Sequence, residues 1–105
     1  MRPIREIKAK DLITGITGYY EHGKEMTFGL VDIKAGSQLP EHKHVNEQIT
    51  YMLSGELHMV IGGEACILKP GTVQVIPSDT LHSAYAPEDC TLIDVFAPVR
   101  EDYKQ

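Results

Sequence analysis

The chain has 105 residues, with 15 acidic against 10 basic side chains and a net charge of −5. That length holds one domain with a core of its own, and the acidic balance argues against a sequence-independent grip on nucleic acid, which needs a basic face. No uncharged apolar run approaches the ~18 residues of a transmembrane helix, no secretion signal is visible at the amino terminus, and two cysteines, Cys66 and Cys90, make no disulfide framework, so reduced thiols in a cytoplasmic protein are expected.

The first segment, Ile4–Leu12, is the best helical candidate, with apolar residues at 4, 7 and 12. Glu21-His22-Gly23-Lys24 reads as a turn. From there the pattern is β. Runs rich in Ile, Val, Thr, Tyr and Leu cover Met26–Ile33, Gln48–Leu53, Leu57–Ile61, Ala65–Leu68, Val73–Ile76, His82–Ala86 and Thr91–Phe96. Gly, Pro, Ser and Asp clusters separate them, and Gly62-Gly63 has the composition of a tight hairpin turn. Short strands at this spacing predict an all-β antiparallel sandwich or barrel. The polar end, Glu101–Gln105, is expected to fray.

Chemistry concentrates on histidine. His42-Lys43-His44 puts two imidazoles on one face if that segment is extended. Such a pair is half a site for a divalent transition metal (Zn, Ni, Mn, Fe or Co). Alone it fits a solvated strand equally well. Gln48 follows four residues after His44, and His82 supplies a third imidazole far along the chain.

The surroundings of these histidines carry a resemblance. Gly36, five residues, His42-x-His44, three residues, Gln48, six residues, Gly55 is similar to the first motif of the cupin superfamily. Gly71, five residues, Pro77-x-Asp79, two residues, His82 is similar to the second. Together they span residues 36–86. The departures are Gln48 for Glu, Asp79 for Gly and Ala86 for Asn. The resemblance implies a single-domain jelly-roll barrel over residues 1–105, with the carboxy-terminal strand and tail at 91–105, and metal ligands His42, His44, Gln48 and His82. Glu47 is a rival ligand, disfavoured because its parity sets it on the opposite face from Gln48. Cupins are often dimers, and a homodimer is expected.

A narrower resemblance is to the small cupins of pectin and alginate catabolism, the KdgF type. It rests on Asn46–Gly55 and on Leu92–Tyr103, where Asp94-x-Phe96 is followed by Pro98-x-Arg100. It implies ring opening and tautomerisation of a 4,5-unsaturated or keto uronate, a small sugar acid. Asp94 and Phe96 share parity, so both are expected to face the barrel interior. Asp94 is the candidate proton shuttle and Arg100 the candidate carboxylate-binding fork, placed on a loop at the barrel mouth. Phe96, Gln38 and Tyr85 are candidate substrate-binding residues. An Fe(II) dioxygenase and a non-catalytic small-molecule sensor are the alternative readings of the same barrel.

Overall fold

Alternation of apolar and polar residues at period two lets a strand bury one face, and most of the ten strands follow it. In the computed structural model, which covers residues 1–105, they are β1 (Lys10–Ile13), β2 (Ile16–His22), β3 (Thr27–Ile33), β4 (Gln38–His42), β5 (Glu47–Ser54), β6 (Leu57–Ile61), β7 (Glu64–Leu68), β8 (Val73–Ile76), β9 (His82–Tyr85) and β10 (Cys90–Ala97). All pairings are antiparallel. A larger sheet runs β1-β2-β3-β10-β5-β8 and a smaller one β4-β9-β6-β7. Their inner faces share one core, with Val31, Met52, Ile76 and Leu92 from the larger sheet meeting Leu57, Met59 and Leu68 from the smaller. No helix is long and apolar enough to cross a membrane. Both cysteines are free thiols, and burial raises the Cys90 thiol to about 11.

Turn chemistry sets the connections. Gly62 and Gly63 join β6 to β7 with φ of 56° and 84°, the left-handed pair that a two-residue hairpin demands. Asp79 is the one non-glycine residue at positive φ (56°), and its backbone N–H donates to the His44 carbonyl at 2.8 Å. The position that departs from glycine is thus one that favours glycine, and Asp is among the few residues that tolerate it.

Two sequence expectations are corrected at the ends. Ile4–Leu12 is not a helix: a 3-10 turn covers only Ile4–Glu6, and the chain then extends into β1. Pairing with β2 through Ile13↔Ile16 outweighs a helical period that three apolar residues define poorly. The tail does not fray either. A second 3-10 turn, Glu101–Tyr103, tucks the Tyr103 ring 4.7 Å from Tyr20 and 5.9 Å from Phe96.

Three strands escaped the sequence reading. β4 carries Pro40 and charge, which an edge strand tolerates because one side of its backbone needs no partner. β1 was hidden under the helical pattern. β2 is interrupted by Gly18, whose role is spatial. A Cβ there would lie 2.4 Å from the Tyr20 hydroxyl, and one at Gly29 would lie 2.4 Å from the Tyr20 ring. The two glycines form a slot that lets the Tyr20 ring lie flat on the sheet, backed by Tyr103.

A Gly29→Ala substitution should therefore strain a rigid ring and lower stability by about 2 kcal/mol, roughly 10 °C in Tm. Tyr20→Ala should abolish most of that increment, giving a coupling above about 1 kcal/mol in a double-mutant cycle of thermal melts.

Candidate metal centre

Three histidines converge at one end of the barrel. His42 closes β4, His44 lies in the loop that follows, and His82 opens β9, paired directly across from His42. The expected continuous strand through His42 and His44 is not present; the loop turns His44 inward instead. The metal-binding atoms of the three rings all lie within 4.8 Å of one another. Ring centroids are 4.1 Å apart for His42–His82, 5.0 Å for His44–His82 and 5.8 Å for His42–His44.

The tautomers follow from the backbone. Each Nδ1–H donates to a carbonyl two residues away: His42 to Pro40 at 2.8 Å, His44 to Asn46 at 2.9 Å and His82 to Thr80 at 2.8 Å. A carbonyl accepts and cannot donate, so the proton is on Nδ1 and each neutral ring presents the Nε2 lone pair. Burial holds His44 and His82 below the ordinary imidazole value, and the charge of Arg100 pushes the same way.

Gln48 faces the same point from β5. Its buried amide is oriented by its own network: Nε2 donates to Thr50 Oγ1 at 2.9 Å and to Asp94 Oδ1 at 3.0 Å. Oε1 is thereby aimed at His44 Nε2, 3.1 Å away. Both of those atoms are acceptors, so nothing in the protein satisfies the contact. A cation held between them would, and the donor set of three imidazole nitrogens and an amide oxygen suits a divalent transition metal. Glu47 is exposed on the opposite face of β5.

Asp94 sits across the strand pair from Thr50. Its Oδ1 accepts from Thr50 Oγ1 at 2.6 Å as well as from Gln48, which leaves Oδ2 as the oxygen without a protein donor. Burial pushes its carboxyl up to about 6, against the opposing effects of those hydrogen bonds and of Arg100. Its hydrogen-bond partners are thus Thr50 and Gln48, and Arg100 is not among them.

Arg100 is not a free fork at the mouth. It is 6% exposed, its backbone N–H donates to Thr27 Oγ1 at 2.9 Å, and its guanidinium stacks 3.8 Å over Tyr103 and 4.7 Å over Phe96. Nε and Nη2 donate to Asp102 at 3.0 and 2.9 Å, so only the Nη1 edge is unclaimed. Phe96 is walled in by Arg100, Tyr103 and His44, and at 2% exposure it has little ring face left for a sugar.

His42, His44, His82, Gln48, Asp94, Arg100 and Phe96 line one cavity of about 440 Å³. Gln38 and Tyr85 do not. They pair with each other on the outward face of the smaller sheet and line a separate groove beside His58. Tyr85 lies three residues beyond His82, an odd spacing that sends its side chain to the opposite face.

Four further residues shape the site. Lys10, hidden in the supposed helix, lines the cavity with its ammonium 5.9 Å from the Tyr103 ring. Thr50 holds Asp94, a role that its inward parity beside Gln48 signals. Asn46 donates to the Pro98 and Val99 carbonyls, tying the His44 loop to the segment that carries Arg100. Tyr20 is 5% exposed in the cavity wall with its hydroxyl unpartnered.

Comparison with known proteins agrees with this geometry. Residues 29–96 match the cupin domain family Cupin_2. The pectin degradation protein KdgF of Dickeya dadantii (strain 3937) is 38% identical over 64 residues, covering 59% of this chain and 58% of that protein; the match thus spans less than two thirds of that relative. The solved structure of KdgF from Halomonas sp. superposes with a TM-score of 0.87 at 31% identity, covering 95% of this chain and 94% of the other. An RmlC-like cupin from Shewanella frigidimarina NCIMB 400 superposes with a TM-score of 0.89 at 26% identity, covering 95% and 91%. With its motifs, barrel and histidine cluster in agreement, the chain belongs to the cupin family, and within that family its similarity is to the KdgF type.

Proposed function

We propose that the protein is a metal-dependent, isomerase-class cupin that converts a 4,5-unsaturated monouronate to a linear keto acid in the cytoplasm. The observation that carries this reading is the two-sided Gln48 amide. Its oxygen points at the histidine cluster while its nitrogen holds Asp94, so electrophile and proton carrier share one cavity wall. The similarity to proteins named for pectin degradation supports the substrate class.

His42, His44, Gln48 and His82 would hold the metal. Bound there, a divalent ion such as Zn or Ni supplies Lewis-acid polarisation of a substrate oxygen. The rest is done by the chain. Asp94 Oδ2, unclaimed by any donor of the protein, exchanges a proton with the substrate hydroxyl or enol carbon. Thr50 and Gln48 fix Asp94 so that this oxygen faces the cavity. Lys10 and the free Nη1 edge of Arg100 attract the substrate carboxylate, with Arg100 held rigid by its aromatic stack and by Asp102. The apolar walls, Leu57, Met59 and Leu92 among them, exclude water from the opened ring.

Untagged protein should bind one divalent ion per chain by elemental analysis, and His42→Ala or His82→Ala should weaken that binding at least tenfold. Incubated with a lyase digest of pectin or alginate, metal-loaded protein should speed the loss of unsaturated-uronate absorbance with no oxygen uptake; equal rates in protein and buffer, with metal bound, would reject the reading. Oxygen uptake by Fe(II)-loaded protein would instead favour the dioxygenase alternative.

Asp94→Asn should keep the metal and lower kcat by about 10²–10⁴-fold. Lys10→Met should raise KM roughly tenfold with kcat little changed, as expected for a lost ionic contact to the substrate. Gln48→Glu should retain metal yet lower kcat, because a second carboxylate there cannot donate to Asp94 without carrying a proton itself.

A further inference from the structure

Tyr20 carries a polar atom that neither the fold nor the proposed reaction uses. Its side chain lines the cavity, yet its hydroxyl is buried with no hydrogen-bond partner in the protein. It is the one buried side-chain polar atom left in that state. A phenylalanine would fill the slot over Gly18 and Gly29 equally well, without the cost of an unpaired hydroxyl.

That hydroxyl has a definite place. It occupies the space that a side chain at Gly18 would take, 2.4 Å from such a Cβ. Lys10 is the residue directly across from Gly18 in the β1–β2 pair, and it too lines the cavity. Opposed side chains on one face of an antiparallel pair start about 5 Å apart, so the hydroxyl and the Lys10 stem are neighbours. Tyr103 connects both to Arg100. The centre of its ring lies 4.7 Å from that of Tyr20, 5.9 Å from the Lys10 ammonium and 3.8 Å from the Arg100 guanidinium carbon. Three donors thus border one aromatic ring on one wall of the cavity.

The nearby carboxylates do not cancel them. Asp102 is claimed by Nε and Nη2 of Arg100, and Asp11 accepts from Thr17 at an exposed position. Lys10 is in no ion pair. Burial, reinforced by the charge of Asp94, holds the Tyr20 phenol above its ordinary value, so it keeps its proton and can donate.

We propose that Tyr20 is a substrate-binding residue whose hydroxyl donates to the carboxylate of a sugar acid held between Lys10 and Arg100, so that the three select acids over neutral sugars. The assignment rests on the uronate reading of the cavity. A carboxylate accepts from several donors at once, and a phenol adds a hydrogen bond without adding a third positive charge. The entering acid reaches the hydroxyl as the flexible Lys10 stem, on edge strand β1, turns towards it.

Tyr20→Phe keeps the ring and removes only the hydroxyl. It should melt at the wild-type temperature or above, because no protein contact is lost. Titrated with galacturonate and followed by NMR chemical shifts, it should bind roughly tenfold more weakly than wild type. Galactose, which lacks the carboxylate, should bind both proteins equally weakly. Tyr85→Phe, which removes an exposed hydroxyl outside the cavity, should bind galacturonate as wild type does. In turnover of the unsaturated uronate, the loss in Tyr20→Phe should fall mainly on KM. Equal galacturonate affinity in Tyr20→Phe and wild type, no galacturonate binding by wild type, or a Tyr20→Phe melting temperature lowered by several degrees would overturn the proposal. Galacturonate binding that depends on Tyr20, in a protein that turns over no unsaturated uronate, would reject the isomerase reading and uphold the subsite.

Discussion

A side-chain amide has two chemically opposite ends, and the site depends on that asymmetry at Gln48. The carbonyl end faces the histidines and the amino end holds Asp94 through a bond that Thr50 reinforces. A glutamate would add a negative charge beside Asp94, and two carboxylates at this distance resist joint ionisation. A departure that looks like a weakened metal ligand is therefore the link between the histidine cluster and the buried Asp94 carboxyl.

Precision at the histidines comes from the backbone. Three Nδ1–carbonyl hydrogen bonds, each to a residue two positions away, orient the rings and select their tautomers. The elements supplying them are themselves braced: Asp79 grips the His44 carbonyl, and Asn46 ties the same loop to the chain beyond β10. The opposite wall is an aromatic stack. Tyr20, seated between Gly18 and Gly29, supports Tyr103, and Tyr103 supports Arg100. A tail that is polar in composition thereby becomes part of the cavity.

Legibility in the sequence followed locality. Strands β5 to β10 were readable because apolar alternation and glycine turns are short-range signals. The inward positions of Gln48, Asp94 and Phe96 followed from the same parity, as did the outward position of Glu47. Tyr85 follows that rule too, and counting three residues from His82 would have placed it on the outer face. The amino-terminal strands were not readable: β1 and β2 take their shape from neighbours, and Gly18 is explained only by a ring that the larger sheet brings over it. Arg100 was legible as a cation near the barrel mouth but not as a buried one.

The sequence by itself determined an all-β barrel with two histidines in one motif, a third in another, and a Gln and an Asp on inward positions, because residue identity and period-two spacing are properties of the chain alone. Only the tertiary structure decided which groups meet. The closure of His82 on His42, the claim of Asp102 on the guanidinium of Arg100 and the arrival of Lys10 at the cavity all join residues that are distant in the chain or set by the packing of whole strands. Spacing along a chain carries no record of such distances; the sheet order supplies it.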